Sequence, residues 1–140
     1  MTAITPIQRQ LLKVLLVEDA PVIQKILLHE LQAIPALAIV GIAETADDGV
    51  SQFELHQPGV VVLDLALRQG NGFEVLRAIK QRQPACRVVV FTNHDTDLFR
   101  SRCAAAGVEA FFSKSSQLPQ LLLLLRRLAD GQSADTGQPG

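Results

Sequence analysis

Three stretches of the chain are apolar at every position: Val14-Leu15-Leu16-Val17, Val60-Val61-Val62-Leu63 and Val88-Val89-Val90-Phe91. Each has the length of a short strand and is rich in β-branched residues. Apolarity without alternation suits a strand whose sheet is covered by helices on both faces, as parallel sheets are. Two weaker runs, residues 37–43 and 110–112, have the character of edge strands. Between the five runs, apolar positions recur at helical spacing. A first helix is expected from Ala20-Pro21, since proline suits a first turn. Its apolar stripe is Val22, Ile23, Ile26, Leu27, Leu31 and Ile34. Thr45 is placed to cap a second helix, with Asp47 and Asp48 at the positive end of its dipole. A third starts near Gly72, carries Phe73, Val75, Leu76 and Ile79, and ends before Pro84. A fourth covers residues 95–106, with Gly107 as its C′ residue and Cys103 on its buried side. A fifth begins after Ser116, takes Pro119 into its first turn and runs to about residue 129.

Strict alternation of strand and helix predicts an α/β fold, (βα)5, with a doubly wound, parallel, five-stranded sheet. The chain of 140 residues fits one domain, and 48% hydrophobic against 19% charged residues can build its core. Its expected limits are 12–129, after an N-terminal extension of residues 1–11. Residues 130–140, rich in Gly, Gln, Ser and Asp, read as a disordered tail or linker. A net charge of −1 carries no basic footprint, which argues against direct DNA binding by this chain. Cys86 and Cys103 form no CxxC pair and read as free thiols. Lys13 interrupts the nearest apolar run, and no secretion signal precedes it. The expected location is cytoplasmic, away from membranes.

In doubly wound sheets, function collects at the carboxyl ends of the strands. Glu18 and Asp19 follow the first strand, Asp64 ends the third, Thr92 ends the fourth and Lys114 follows the fifth. Three carboxylates brought together repel one another unless their pKa values rise or a cation joins them. An oxygen-only set with few protein ligands favours Mg2+ over softer metals. Beside such a cation Asp64 can act as a nucleophile, with Lys114 and Thr92 as partners for phosphoryl oxygens. The chemistry inferred is Mg2+-assisted phosphoryl transfer onto Asp64.

The strings Val14 to Asp19 (VLLVED), Val60 to Leu65 (VVVLDL), Asn71 to Leu76 (NGFEVL), Val90 to Thr92 (VFT) and Ala110 to Lys114 (AFFSK) resemble receiver domains of two-component response regulators. The resemblance covers about residues 12–129. It implies a flavodoxin-like sheet of order 2-1-3-4-5 and a histidine kinase or histidine phosphotransfer protein as donor to Asp64. It implies Mg2+ held by Glu18, Asp19, Asp64 and the main-chain carbonyl of Ala66. It also implies that Phe111 is an aromatic switch that follows Thr92, changing the surface of helix 4, strand 5 and helix 5. Four positions depart from or modulate the family pattern. Arg68 stands where many members have proline four residues after the acceptor. Ser115 stands where a cis-proline commonly follows the lysine. Asn93 is larger than the small residue often found after the threonine, and His94 lies where the family tunes dephosphorylation.

Competing readings leave distinct signatures. A haloacid-dehalogenase-like phosphatase needs an acid two residues after its nucleophile, and Ala66 stands there. A flavin module needs a phosphate-cradling first loop, which Glu18-Asp19 would oppose, and the chain has no Trp or Tyr. The expected role is therefore a phosphoacceptor signalling module and not an enzyme acting on external substrates. A phosphorylation-independent adaptor, or the receiver part of a longer transcriptional regulator, are the alternatives. His29 and His56 read as surface residues, and Phe73 and Phe91 as core. Of the five consecutive leucines 121–125, Leu121, Leu122 and Leu125 join Leu118 and Leu128 on one arc, leaving Leu123 and Leu124 for a partner or homodimer interface.

Overall fold

A computed structural model of the chain describes residues 10–134. Strands and helices alternate without exception: β1 (Leu12–Val17), α1 (Pro21–Gln32), β2 (Leu37–Ala43), α2 (Ala46–His56), β3 (Val60–Leu63), α3 (Gly72–Arg82), β4 (Arg87–Thr92), α4 (Asp97–Ala105), β5 (Ala110–Ser113) and α5 (Leu118–Ala134). All pairings are parallel, in the order β2-β1-β3-β4-β5. The three fully apolar runs are the three central strands, and the weaker two are the edges.

Side-chain alternation along each strand sorts the core into two layers. Leu12, Val14 and Leu16 of β1, Val60 and Val62 of β3, and Val89 and Phe91 of β4 face Leu27 and Leu31 of α1, Ile34 in the turn that follows it, and Leu121, Leu125 and Ala129 of α5. Leu15, Val17, Val61, Leu63, Val88 and Val90 face Ala46 and Phe53 of α2, Val75, Leu76 and Ile79 of α3, and Cys103 of α4. Each fully buried aliphatic side chain contributes about 1.5–3 kcal/mol over its exposed state. Both layers are thus needed to hold the sheet that carries the loops.

Local signals account for the helix starts. Pro21 opens α1, and Thr45 accepts the Asp48 amide at α2. Asn71 and Glu74 form a reciprocal capping box at α3. Gly107, at C′ of α4, adopts φ +86°.

Four expectations need correction. Helix α4 begins at Asp97, because Thr96 and not a preceding residue accepts the Phe99 amide as cap. Val22 and Ile26 of the expected α1 stripe are exposed, at 68% and 38%. They lie one residue, or about 100°, from Ile23 and Leu27, beyond the arc the sheet covers. Leu124 packs against the α1/α5 core layer, while Leu123 is 51% exposed. Finally, α5 continues through residues 130–134, where a disordered tail was expected. Ala129 anchors that turn at 0% exposure, and each further helical residue adds a backbone hydrogen bond at little cost. Residues 135–140 and 1–9 lie outside the described residues.

Both thiols are buried; burial pushes Cys86 up to about 11, with nearby Lys80 opposing it. Among the described residues, no helix is long and apolar enough to cross a membrane.

Candidate functional site

Register brings the polar residues to one rim. Val17 of β1 aligns with Leu63 of β3, and Leu63 with Val90 of β4, so Glu18 and Asp64 leave the sheet at the same level. Thr92 aligns with Ser113 of β5, which puts Lys114 beside it. The Lys114 amide donates to the Thr92 carbonyl at 2.9 Å.

The side chains then converge on Asp64. Lys114 Nζ lies 2.7 Å from Asp64 Oδ2 and 2.7 Å from Glu18 Oε1. Thr92 Oγ1 donates to Asp64 Oδ1 at 2.7 Å, and the Ala66 amide donates to the same oxygen at 3.3 Å. Glu18 Oε2 accepts the Ala20 amide at 3.0 Å. Glu18, Asp64 and Thr92 are buried, and the three side chains of the ion-pair triad are each under a tenth exposed. Asp19 is half-buried.

The electrostatics are those of an under-neutralised acidic cluster. Burial pushes the Glu18 carboxyl up, more than the Lys114 hydrogen bond and the Ala20 amide pull it down. Burial alone would lower Lys114, but its hydrogen bonds to Asp64 and Glu18 outweigh that and hold it above the usual lysine range. Three carboxylates against one ammonium leave a formal excess of two negative charges. Glu18, Asp19 and Asp64 each offer one oxygen, and these oxygens lie within 4.8 Å of one another. That oxygen-only donor set and its charge fit a divalent hard cation such as Mg2+.

The other predicted residues surround this centre at differing distances. Phe111 is half-buried against the α2/α3/α4 core layer, and the Arg100 guanidinium lies 4.5 Å from its ring centroid. Asn93 and His94 are exposed in the loop after β4. The His94 amide donates to Thr92 Oγ1 at 3.2 Å, and its ring meets Phe99 edge-on at 6.3 Å. Arg68 turns to Glu44, 3.6 Å away at the surface. Leu123, on α5, is not part of the cluster. Among the described residues every peptide bond is trans, including Lys114–Ser115.

Some supporting residues were not singled out from the sequence. Gln24 of α1 donates to the Glu18 carbonyl at 2.7 Å and to Glu44 Oε2 at 2.9 Å, bracing the loop after β1. Ser113, Ser115 and Gln117 form a network around Lys114. Gly72 sits so that a Cβ would come 2.4 Å from the Asp64 carbonyl oxygen and 2.8 Å from Leu65 Cα. The sequence marks Gly72 as the start of the third helix and within the string Asn71 to Leu76, with nothing to indicate contact with the backbone after β3.

Comparison with known proteins agrees with this architecture. The family model for the response regulator receiver domain matches residues 14–126. DNA-binding transcriptional activator DevR/DosR of Mycobacterium tuberculosis is 29% identical over 123 residues, covering 88% of this chain and 57% of that protein. Response regulator GacA of Pseudomonas aeruginosa is 29% identical over 122 residues, covering 87% and 57% respectively. The chain thus spans little more than half the length of either relative. A crystal structure of a LuxR-family two-component response regulator from Aurantimonas sp. SI85-9A1 superposes with a TM-score of 0.77 at 28% identity, covering 88% of this chain and 90% of that one. With the match spanning most of the chain and the fold and sheet order in agreement, the chain belongs to the response regulator receiver domain family of two-component signalling.

Proposed function

We propose that this domain accepts a phosphoryl group on Asp64, with Mg2+ held by Glu18, Asp19, Asp64 and the main-chain carbonyl of Ala66, from a histidine kinase or histidine phosphotransfer protein. The observation that carries this reading is the pair of donors already seated on the two Asp64 oxygens: Thr92 on Oδ1 and Lys114 on Oδ2. A phosphoryl group joined to Asp64 arrives between a hydroxyl donor and a buried ammonium, the partners its new oxygens require. In the transfer, an Asp64 oxygen forms a bond to phosphorus as the donor's P–N bond breaks and its electron pair leaves with the imidazole. Mg2+ held by Glu18, Asp19 and Asp64 would supply neutralisation of the negative charge gathered at this site.

Lys114 has one ammonium proton beyond its two 2.7 Å ion pairs to offer a phosphoryl oxygen, whereas Thr92, whose single hydroxyl proton is spent on Asp64 Oδ1, must redirect it. Both residues sit at the ends of β4 and β5, so the adjustment reaches Phe111 and the α4–β5–α5 surface. Exposed Leu123 on α5 belongs to the face through which the switched domain binds a partner or a second copy. Asn93 and His94, exposed in the loop after β4, and Arg68, four residues after Asp64, are the candidates for tuning the lifetime of the modified state. The greater length of the two regulators above favours one further reading, that this receiver controls a transcriptional output within a longer protein. The proposed role is signalling, with self-phosphorylation and slow self-dephosphorylation as its only chemistry.

Phosphoramidate, whose P–N bond mimics a phosphohistidine, tests this directly. With Mg2+ it should modify Asp64, identified by peptide mapping, and excess chelator should prevent the reaction. Modification that is indifferent to the chelator would remove the metal, and modification at another residue would remove Asp64.

A further inference from the structure

The loop between β5 and α5 carries Lys114, whose ammonium must reach two buried carboxylates at once. That loop is closed by polar contacts of a specific pattern. Gln117, just before α5, folds back so that its Oε1 accepts the Ser113 amide at 2.8 Å. The Gln117 amide in turn donates to the Ser113 carbonyl at 2.9 Å. The two residues therefore clasp each other through both main-chain groups of Ser113. Ser113 is 4% exposed, and its hydroxyl accepts the Ser115 amide at 3.3 Å and lies 2.9 Å from the Ser115 hydroxyl. Lys114 sits between these two serines, its own amide bound to the Thr92 carbonyl. Its backbone is thus held on three sides before its side chain extends toward Asp64 and Glu18.

We infer that Gln117, acting through the Ser113 main chain, is the positioning residue for Lys114. The inference rests on the phosphoryl-acceptance reading for its consequence, but not for its geometry. A long, flexible lysine stem reaches two oxygens at 2.7 Å only if its Cα is placed closely, because four rotatable bonds otherwise spread the ammonium over many positions. Displacements of about 1 Å in a group that contacts the reacting centre are enough to cost a large factor in rate. Among the described residues the Gln117 side chain bonds the Ser113 amide and neither carboxylate, so its effect on the site passes through Lys114.

Two substitutions separate the acceptor from the bulk of the side chain. Gln117→Met keeps the length and lacks the oxygen; Gln117→Glu keeps an oxygen that accepts the Ser113 amide. In the unmodified, metal-free protein, amide hydrogen exchange at Ser113 and Lys114 should quicken at least tenfold in Gln117→Met and stay near wild type in Gln117→Glu. Unchanged exchange in Gln117→Met overturns the inference whether or not Asp64 is phosphorylated. With phosphoramidate and Mg2+, Gln117→Met should react about fivefold to tenfold more slowly at unchanged Mg2+ affinity, and Gln117→Glu should recover the rate. Adding Gln117→Met to Lys114→Met should slow the reaction no further. An additive loss would show that Gln117 acts on stability and not through Lys114. If the wild type itself fails to react, the parent reading fails, and the exchange experiment alone decides the role of Gln117.

Discussion

Lys114 is the residue on which the electrostatics of the site turn. Among the described residues its ammonium is the one cation bonded to both buried carboxylates. Removing one partner of a buried ion pair leaves uncompensated charge and typically costs about 3–5 kcal/mol. Lys114→Met should therefore lose about that much stability in chelator, measured by urea denaturation, and regain part of it in saturating Mg2+, since a divalent cation takes over neutralisation. Equal losses in both conditions would separate the metal from the triad. Glu18 behaves oppositely. Its carboxyl is held above its ordinary value by burial, so the folded protein binds that proton more tightly than the unfolded chain does. This contribution to stability is fully present below the unfolded pKa and is lost as pH rises through the folded one. Glu18→Gln should thus flatten the decline in metal-free stability as pH climbs above the ordinary glutamate range, while also diminishing the rise in Tm that Mg2+ should produce by binding the folded state. A steeper decline in the variant would contradict the assigned direction. These residues were legible from their place at successive strand ends. The residues bracing them were not. Gln24 and Gln117 are ordinary polar residues until the chain folds, and their partners are main-chain groups that no side-chain pattern announces.

At the scale of elements, the placement of Asp64 depends on how closely α3 starts beside β3. The Gly72 amide donates to the Leu65 carbonyl at 2.9 Å, and the position where its Cβ would stand overlaps the Asp64 backbone. Gly72→Ala must push the Asp64–Leu65 backbone or the helix start aside. It should cost about 1–3 kcal/mol, the range of overpacking changes, and slow phosphoryl acceptance as well. Asn71→Ala, which removes only the cap, should cost about 1 kcal/mol by denaturation and leave the acceptance rate near wild type. A rate loss in Asn71→Ala equal to that in Gly72→Ala would show that helix fraying, and not crowding of Asp64, controls the site. Elements themselves were readily legible where strands are apolar on both faces, because only burial between two helical layers explains such runs. Helix margins were less so. The α1 stripe looked wider than the sheet covers, and α5 outran its last anchored residue, since neither the width of a neighbouring surface nor the persistence of a helix past its core contact is written in local apolarity.

At the scale of the molecule, the two core layers divide the labour. One layer beneath α1 and α5 presents Val22, Ile26 and Leu123 to the exterior, and the other packs Phe111 beneath the Arg100 guanidinium. Sheet order places β3, which leads into Asp64, between β1, which leads into Glu18 and Asp19, and β4, which ends in Thr92, so that Asp64 lies beside elements from both halves of the sheet. Leu123→Glu should leave the isolated fold intact, because that side chain is half exposed, and should weaken any self-association that phosphorylation induces. Light scattering of phosphorylated wild type and variant would read this, and identical masses above the monomer in both would clear Leu123 of an interface role. The central claim is that Asp64 is the phosphoryl acceptor. It is tested most directly by intact-mass analysis after incubation with acetyl phosphate and Mg2+, beside Asp64→Asn. One added phosphoryl group in the wild type and none in the variant is the expected result. An equal gain in both proteins, or none in the wild type while a known receiver treated alongside is modified, would contradict it.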